Sequence, residues 1–279
     1  MTQIKARQNE DSLLNTQYAA RYYFNKAEIY NFWAWFFCLL SLFCVMIPQT
    51  VPIVVMFGAP FLIDVAAALM ILSFNKNVAL GAQLRAAFDD YVFCFSDKLN
   101  MDQTLKEYVI KAIEKHPTDV EIQKKNTGTD SPPGVREWYN TNSKKTGIDA
   151  IFSCQKENVW WEKKLLFRRI IFYVFITLIC IFLLFVLKFA GNIHVLQIIL
   201  SSALLTRTIE RIYENVQYFR VGNKIDGQVE LLEAQKTKEQ LMQLQSTINE
   251  KRKLKITDVN FIHKFLANKL SVRYEKTRG

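Results

Sequence analysis

The chain has 279 residues, 50% of them hydrophobic, and 36 Lys and Arg against 26 Asp and Glu give it a net charge of +10. The acidic residues are interspersed with the basic ones, so no nucleic-acid-binding patch stands out and neither DNA nor RNA polymer is expected as a partner. Five cysteines form no CxxC pair and three scattered histidines offer no ligand spacing, so no disulfide framework, zinc site or cofactor is expected.

Residues 1–28 read as an amphipathic cytoplasmic helix, with Leu13, Leu14, Tyr18, Tyr22 and Tyr23 on roughly one side. An uncharged run follows from Ile29 to Ile63, interrupted near its middle by Pro48, Gln49, Thr50 and Pro52. About 20 apolar residues cross a bilayer core about 30 Å thick. Residues 29–74 are therefore expected to form a first transmembrane hairpin, with span one Ile29–Ile47 and span two near Val51–Leu72. The first run is longer than a signal peptide's apolar region and follows 28 polar residues, so cleavage is not expected.

Asp64 is the one acidic residue within a span, where a charge costs several kcal/mol unless it faces protein or water. It is a candidate pore or gating residue together with Pro60. The alternative is a buried Asp paired with a serine, a tyrosine or the backbone. Pro48, Pro52, Gly58 and Pro60 predict an irregular outer half for span two, either a hinge or a plain turn before a kinked helix.

Residues 75–169 read as a cytoplasmic region of helices and loops. The stretch GAQLRAAFDDYVFCFSDKLN continues the helix out of span two. Met101–His116 forms an amphipathic helix with Leu105, Val109 and Ile113 at helical spacing, ended by Pro117. Residues 126–147 are rich in turn formers around the island VREWYN. A helix from about Ile148 leads into the second hairpin, residues 170–206, with span three Ile170–Leu187 and a shorter span four, Ile193–Thr206.

Residues 207–279 read as cytoplasmic helices. Gly222 and Gly227 bracket a break. Gln228–Lys255 forms a polar helix whose narrow seam of Leu241, Leu244 and Ile248 suits a coiled coil or docking onto a neighbour. Thr257–Arg278 forms a last helix.

Lys and Arg concentrate in these segments: four in residues 1–28, 16 in 75–169 and 15 in 207–279, with only Lys188 elsewhere. Positive charge stays on the cytoplasmic side, so both termini and the middle segment are expected there. The same excess attracts anionic lipid headgroups, which makes membrane lipids expected partners. The fold class is an all-α membrane protein, four transmembrane helices arranged as two hairpins with a helical cytoplasmic region.

No P-loop, GxGxxG, GxSxG, HExxH or kinase motif is present, and no enzyme activity is expected. The segment CQKENVWWEKKLLFRR places Trp160 and Trp161 beside Lys163, Lys164, Arg168 and Arg169 ahead of span three. On composition alone this is an interfacial belt with cationic anchors.

Four segments, in this order, resemble the S-4TM family, the four-transmembrane pore-forming effectors of bacterial conflict systems. GAQLRAAFDDYVFCFSDKLN is similar through Phe88, Asp89 and Asn100, although Leu99 replaces a frequent Trp and a Gln-Glu pair is missing before Phe88. VREWYN is similar through Trp138 and Tyr139. CQKENVWWEKKLLFRR is similar through Gln155, Asn158, Trp160, Trp161, Arg168 and Arg169, with Glu162 where Asp is common. TRTIERIYENVQYFR is similar through Arg207, Ile212 and Tyr213. The resemblance implies an inner-membrane homo-oligomer that permeabilises the membrane during antiphage defence, causing abortive infection. It also implies control by a cyclic dinucleotide or oligonucleotide, which either opens the pore or holds it closed.

A nucleotide site pairs cations with aromatic stacking surfaces. Arg136, Lys144 and Lys145 flank Trp138 and Tyr139 in the turn-rich loop and are the first candidates. If the loop is not the site, the basic face of Lys251–Lys255 or a position between protomers takes its place. The competing reading has Trp138 and Tyr139 plugging the loop onto the helices. A constitutive channel or transporter and a membrane-anchored scaffold are the alternative functions.

Overall fold

The computed structural model describes residues 2–44, 50–139, 145–190, 199 and 202–254, and within the helix 147–190 it leaves undescribed the side chains of 157, 158, 160–169, 187, 188 and 190. All named elements among them are helices: α1 Thr2–Gln8, α2 Asp11–Phe43, α3 Ile53–Val92, α4 Gln103–Lys115, α5 Pro117–Lys125, α6 Gly147–Ala190, α7 Ala203–Ala234 and α8 Lys238–Lys253. Most of the expected span four and the expected helix 257–278 lie outside the described residues.

Helices α2 and α3 form an antiparallel pair: Leu14 and Tyr18 pack near Leu84, Ala27 near Phe74 and Val78, and Cys38 near Ala67. The α2 seam repeats small residues every seven positions, Ala20, Ala27, Ala34 and Ser41, each at most 2% exposed. Small side chains at this spacing let two helix backbones approach closely over many turns. Helices α6 and α7 form a second antiparallel pair, with Phe152 and Val159 against Ile225 and Leu232 at one end and Cys180 against Leu204 at the other. Trp35 stacks on Tyr173 at 5.9 Å and joins the two pairs.

The pairs have two chemically different ends. At one end, α2 from Ile29, α3 up to Leu72 and α6 from Ile171 turn large apolar side chains outward, with Val54 81% and Phe189 74% exposed. At the other end the short helices close over a conventional core. Val109, Ala112 and Val120 of α4 and α5 cover Leu14, Tyr18 and Tyr23 of α2. Asp102 caps α4 by accepting from the Leu105 amide at 2.7 Å. Thr237 caps α8 through a reciprocal pairing with Gln240. Among the described residues, Ile53–Val92 is the one helix long and apolar enough to cross a membrane, and Ile170–Val186 is a shorter apolar stretch.

Several sequence expectations change: the helix read over residues 1–28 is split at Asn9–Glu10, and the helix leaving span two ends at Val92 rather than reaching Asn100. Helix α3 starts at Ile53 after a turn and runs through Pro60, the turn-then-helix alternative rather than a hinge, and α7 runs unbroken through Gly222 and Gly227. Pro117 not only ends α4 but also starts α5, because its fixed φ and missing N–H suit the first helical position. The polar helix expected over Gln228–Lys255 is split at Gln235–Thr237, so α8 folds back onto α6 and α7. Its seam of Leu241, Leu244 and Ile248 is buried within the chain, at 0%, 0% and 5% exposure, and is closed to a neighbouring protomer.

The loop 126–139 has one covalent requirement. A Cβ on Gly134 would lie 1.9 Å from the Asn126 carbonyl oxygen and 2.3 Å from its carbon, whereas Gly222 and Gly227 have open space around them. Gly134→Ala should therefore destabilise the detergent-solubilised protein by about 1–3 kcal/mol or more. Gly222→Ala with Gly227→Ala should stabilise it by roughly 0.5–1 kcal/mol each, by removing glycine from a helix interior. Thermal unfolding of the two variants checks both signs.

Candidate ligand-binding site

The last turns of α3 place Arg85, Phe88 and Asp89 together at i, i+3 and i+4. Asp89 has no exposed surface, and a buried carboxylate survives only with donors around it. The donors come from the loop, from α8 and from one turn back on α3 itself, and α6 braces them from behind. Tyr139 donates its hydroxyl to Asp89 Oδ1 at 2.6 Å. Gln245 of α8 donates Nε2 to Oδ2 at 3.0 Å, and Arg252 pairs with the same oxygen. Arg85 Nε lies 3.8 Å from Oδ1. Gln155 of α6 completes the set, donating Nε2 to Gln245 Oε1 at 3.0 Å and to the Leu241 carbonyl at 3.1 Å.

The Trp138–Tyr139 island is held from the N-terminus. Gln8, fully buried on α1, accepts from the Tyr139 amide at 2.9 Å and donates to its carbonyl at 3.3 Å. Asn9 accepts from the Glu137 amide at 3.1 Å, and Glu137 sits at φ +48°, turning the chain there. Tyr139 then points inward, its ring 5.0 Å from Phe93, while Trp138 faces the Arg85 guanidinium at 3.9 Å. Burial, then Asp89, push the Tyr139 hydroxyl pKa up, which keeps it a donor. Burial pulls the Arg85 pKa down, opposed by Tyr139 and Asp89.

Arg85, Trp138 and Arg252 form part of the wall of a half-open cavity of about 570 Å³ that α2, α3, α6, α7 and α8 line together with the loop. This lies within the usual size of a small-molecule site, about 300–1,000 Å³. Among the described residues, four cations line it, Arg21, Arg85, Lys251 and Arg252, and no carboxylate does. Arg21 reaches the Pro133 and Gly134 carbonyls at 2.9 and 3.2 Å. Lys251 sits 4.5 Å over the Tyr218 ring, so a second cation–aromatic pair borders the cavity with Arg85–Trp138. Gln17 Oε1, also on the wall, is buried without a hydrogen-bond partner among the described residues.

The sequence candidates are dispersed by this geometry. Trp138 lines the cavity and Tyr139 lies in the buried network behind it. Arg136 is exposed and not among the lining residues; Lys145 is exposed, with its amine 3.4 Å from the Ser153 hydroxyl. Lys144 lies outside the described residues. From the juxtamembrane motif, Gln155 is in the network; Asn158, Trp160, Trp161, Arg168 and Arg169 belong to α6, with side chains outside the description. Asp64 is on α3, about 37 Å along the helix axis from Asp89 at 1.5 Å per residue. It is hydrogen-bonded to Ser41 and keeps one buried oxygen without a partner among the described residues. Pro60 is buried one turn away. Sequence reasoning did not single out Arg85, Gln8, Tyr218 or Gln245; the Arg85–Asp89 spacing was the available signal. Of the fallback basic run Lys251–Lys255, the fold brings the first two residues to the wall of the cavity that Trp138 also lines.

Asp89→Asn leaves Arg85 and Arg252 without their buried counter-charge and should cost about 3–5 kcal/mol of stability. Tyr139→Phe should cost less, about 1.5–3 kcal/mol. Asp90 behaves oppositely, since burial and then the neighbouring Asp89 raise its pKa to about 6. A folded-state value above the unfolded one, roughly 3.9, means that protonation favours folding. That contribution is full below the unfolded value and is lost as pH rises through 6. Thermal unfolding between pH 5 and 7.5 should show Asp90→Asn removing part of this decline and raising stability at pH 7.5.

No curated protein and no solved structure matches the chain. A family model described as the SMODS-associating 4TM effector domain matches residues 2–277. The match takes in both helix pairs, the Asp89 network and the cavity. The chain thus belongs to the SMODS-associating 4TM effectors, a family of membrane effectors associated with nucleotide-signalling systems.

Proposed function

We propose that this protein is a non-enzymatic, pore-forming effector of antiphage defence, controlled by a cyclic dinucleotide or oligonucleotide bound in the 570 Å³ cavity. The observation that carries the reading is the cavity lining: among the described residues, four cations, no carboxylate and two aromatic rings already stacked with cations. Phosphates pair with Arg85, Lys251 and Arg252, and bases stack on Trp138 and Tyr218.

Ligand phosphates compete with Asp89 for Arg252, so occupancy weakens the tie that holds α8 against α3. Helix α3 continues from Asp89 to Asp64 without a break, and a change at the cavity is carried along it into the apolar end. In this reading the exposed apolar band is the membrane-spanning part, arranged as four spans in the bacterial inner membrane with both termini cytoplasmic. Protomers assemble through apolar span faces with closed cyclic symmetry, since the α8 seam is buried. Opening of the pore stops growth of the infected cell.

Calorimetry on detergent-solubilised protein with a cyclic dinucleotide tests the site. Lys251→Ala should weaken binding about ten- to a hundredfold through loss of a charge-assisted contact. Trp138→Ala should weaken it by a similar factor through loss of stacking, worth about 1–3 kcal/mol per base. Arg136→Ala should leave affinity unchanged. Equal affinity in all four proteins would place the ligand elsewhere, and a liposome leak indifferent to the nucleotide would contradict control by it.

A further inference from the structure

A cavity of about 350 Å³ lies between α2, α3 and α4, and Lys26, Lys76, Lys111 and Lys115 line it, with no carboxylate among the described lining residues. Among the described residues these lysines form no ion pair; their amines face tyrosine rings instead. Lys26 is 5.9 Å from the centroids of Tyr22 and of Tyr30, Lys115 is 6.0 Å from Tyr22, and Lys76 and Lys111 are 5.8 and 5.6 Å from Tyr108. Tyr22, Lys26, Tyr30 and Lys115 also border a second cavity of about 800 Å³ that follows α2. Its other end is apolar, walled by Ile29, Trp33, Phe37 and Met70. The carboxylate at its polar end, Asp119, is engaged by the Tyr18 hydroxyl at 3.0 Å and the Gln123 amide at 2.8 Å.

The two cavities meet at the edge of the exposed apolar band. On α2 the band starts at Ile29, one turn after Lys26, and on α3 it stops at Leu72, one turn before Lys76. A compartment cationic on one side of that edge and apolar on the other complements a molecule built the same way. We propose that the joined cavities hold one anionic phospholipid, its phosphodiester headgroup among the four lysines and an acyl chain along Ile29, Trp33, Phe37 and Met70. This rests on the reading that the apolar band lies in the membrane. A free phosphate or a nucleotide satisfies the lysines but leaves the apolar cavity unfilled. The lipid fastens α4 to the α2–α3 pair at the headgroup level.

Native mass spectrometry of the solubilised protein with equimolar phosphatidylglycerol and phosphatidylcholine, matched in chain length, tests the proposal. The wild type should retain phosphatidylglycerol preferentially. Exchanging Lys26, Lys76 and Lys111 for Gln should reduce that preference on the order of a hundredfold, and exchanging the same three for Arg should preserve it. Glycerophosphoglycerol, the headgroup without chains, should fail to displace the lipid at equal concentration. Equal retention of both lipids by the wild type, which needs no variant, would overturn the proposal. So would an unchanged preference in a folded Gln triple variant, and displacement by the headgroup alone would make this an anion site rather than a lipid site. Cyclic dinucleotide affinity should be unchanged in the Gln triple variant, and Lys251→Ala should keep the lipid preference, so the lipid and nucleotide readings fail separately.

Discussion

A carboxylate sealed away from water must be surrounded by donors, and Asp89 recruits its own from across the chain. Gln245 and Arg252 come from α8, Tyr139 from the loop after α5, and Arg85 from one turn back on α3, with Gln155 of α6 bracing Gln245. Removing any one element leaves the others facing an incompletely satisfied charge, which makes the cluster cooperative. It also explains where the cavity comes from. The groups that neutralise Asp89 on one side, Arg85 and Arg252, are the groups that line the cavity on the other. Two guanidiniums around one carboxylate leave an excess positive charge directed at that space, with Arg21 and Lys251 adding to it. A buried ion pair of this kind is weak evidence for stability in itself; its consequence here is an anion-seeking wall with fixed geometry.

The second constraint is continuity. Helices α2, α3, α6 and α7 are long, and three of them pass from the cavity region into the exposed apolar band without a break. The small-residue repeat of Ala20, Ala27, Ala34 and Ser41 locks α2 to α3 along both regions. Where the regions meet, buried Arg207 bonds Glu210 and the Asn31 side chain at 3.1 Å, and Arg211 pairs with Glu214 at 2.8 Å. Charges held by partners at this level allow α7 to carry arginines against Trp35 and Phe74. A rigid element shared by two sites is the physical requirement for coupling them, provided that it has two arrangements.

Much of this was legible from local pattern, and the remainder depends on partners distant in sequence. Apolar runs marked α2, α3 and α6 because bilayer-length hydrophobicity is a local property. The seam of Leu241, Leu244 and Ile248 was equally visible, but its period says nothing of what covers it, and the answer is α6 and α7 of the same chain. Pro117 was read as a stop because proline breaks a helix from within, yet it also begins one. Gly222 and Gly227 suggested a break that packing against α6 and α8 overrides. Trp138 stood out through its island and its family resemblance. Arg252 acquires its role only by meeting Asp89, 163 positions earlier in the chain, and no spacing rule spans that separation. Arg136 and Lys145 illustrate the converse: proximity in sequence to Trp138 does not put them on the cavity wall.

The central claim is that Asp89 holds α8 against α3 through Arg252 and that an anionic ligand in the cavity loosens this tie. The most direct measurement is the distance between spin labels on exposed positions of α8 and α4, Met242→Cys and Lys106→Cys, in nanodiscs with Cys94 replaced by Ser. The account predicts one narrow distance distribution without ligand. It predicts a shifted distribution with saturating cyclic dinucleotide, and a broadened one in Asp89→Asn without ligand. Identical distributions in all three conditions would contradict it.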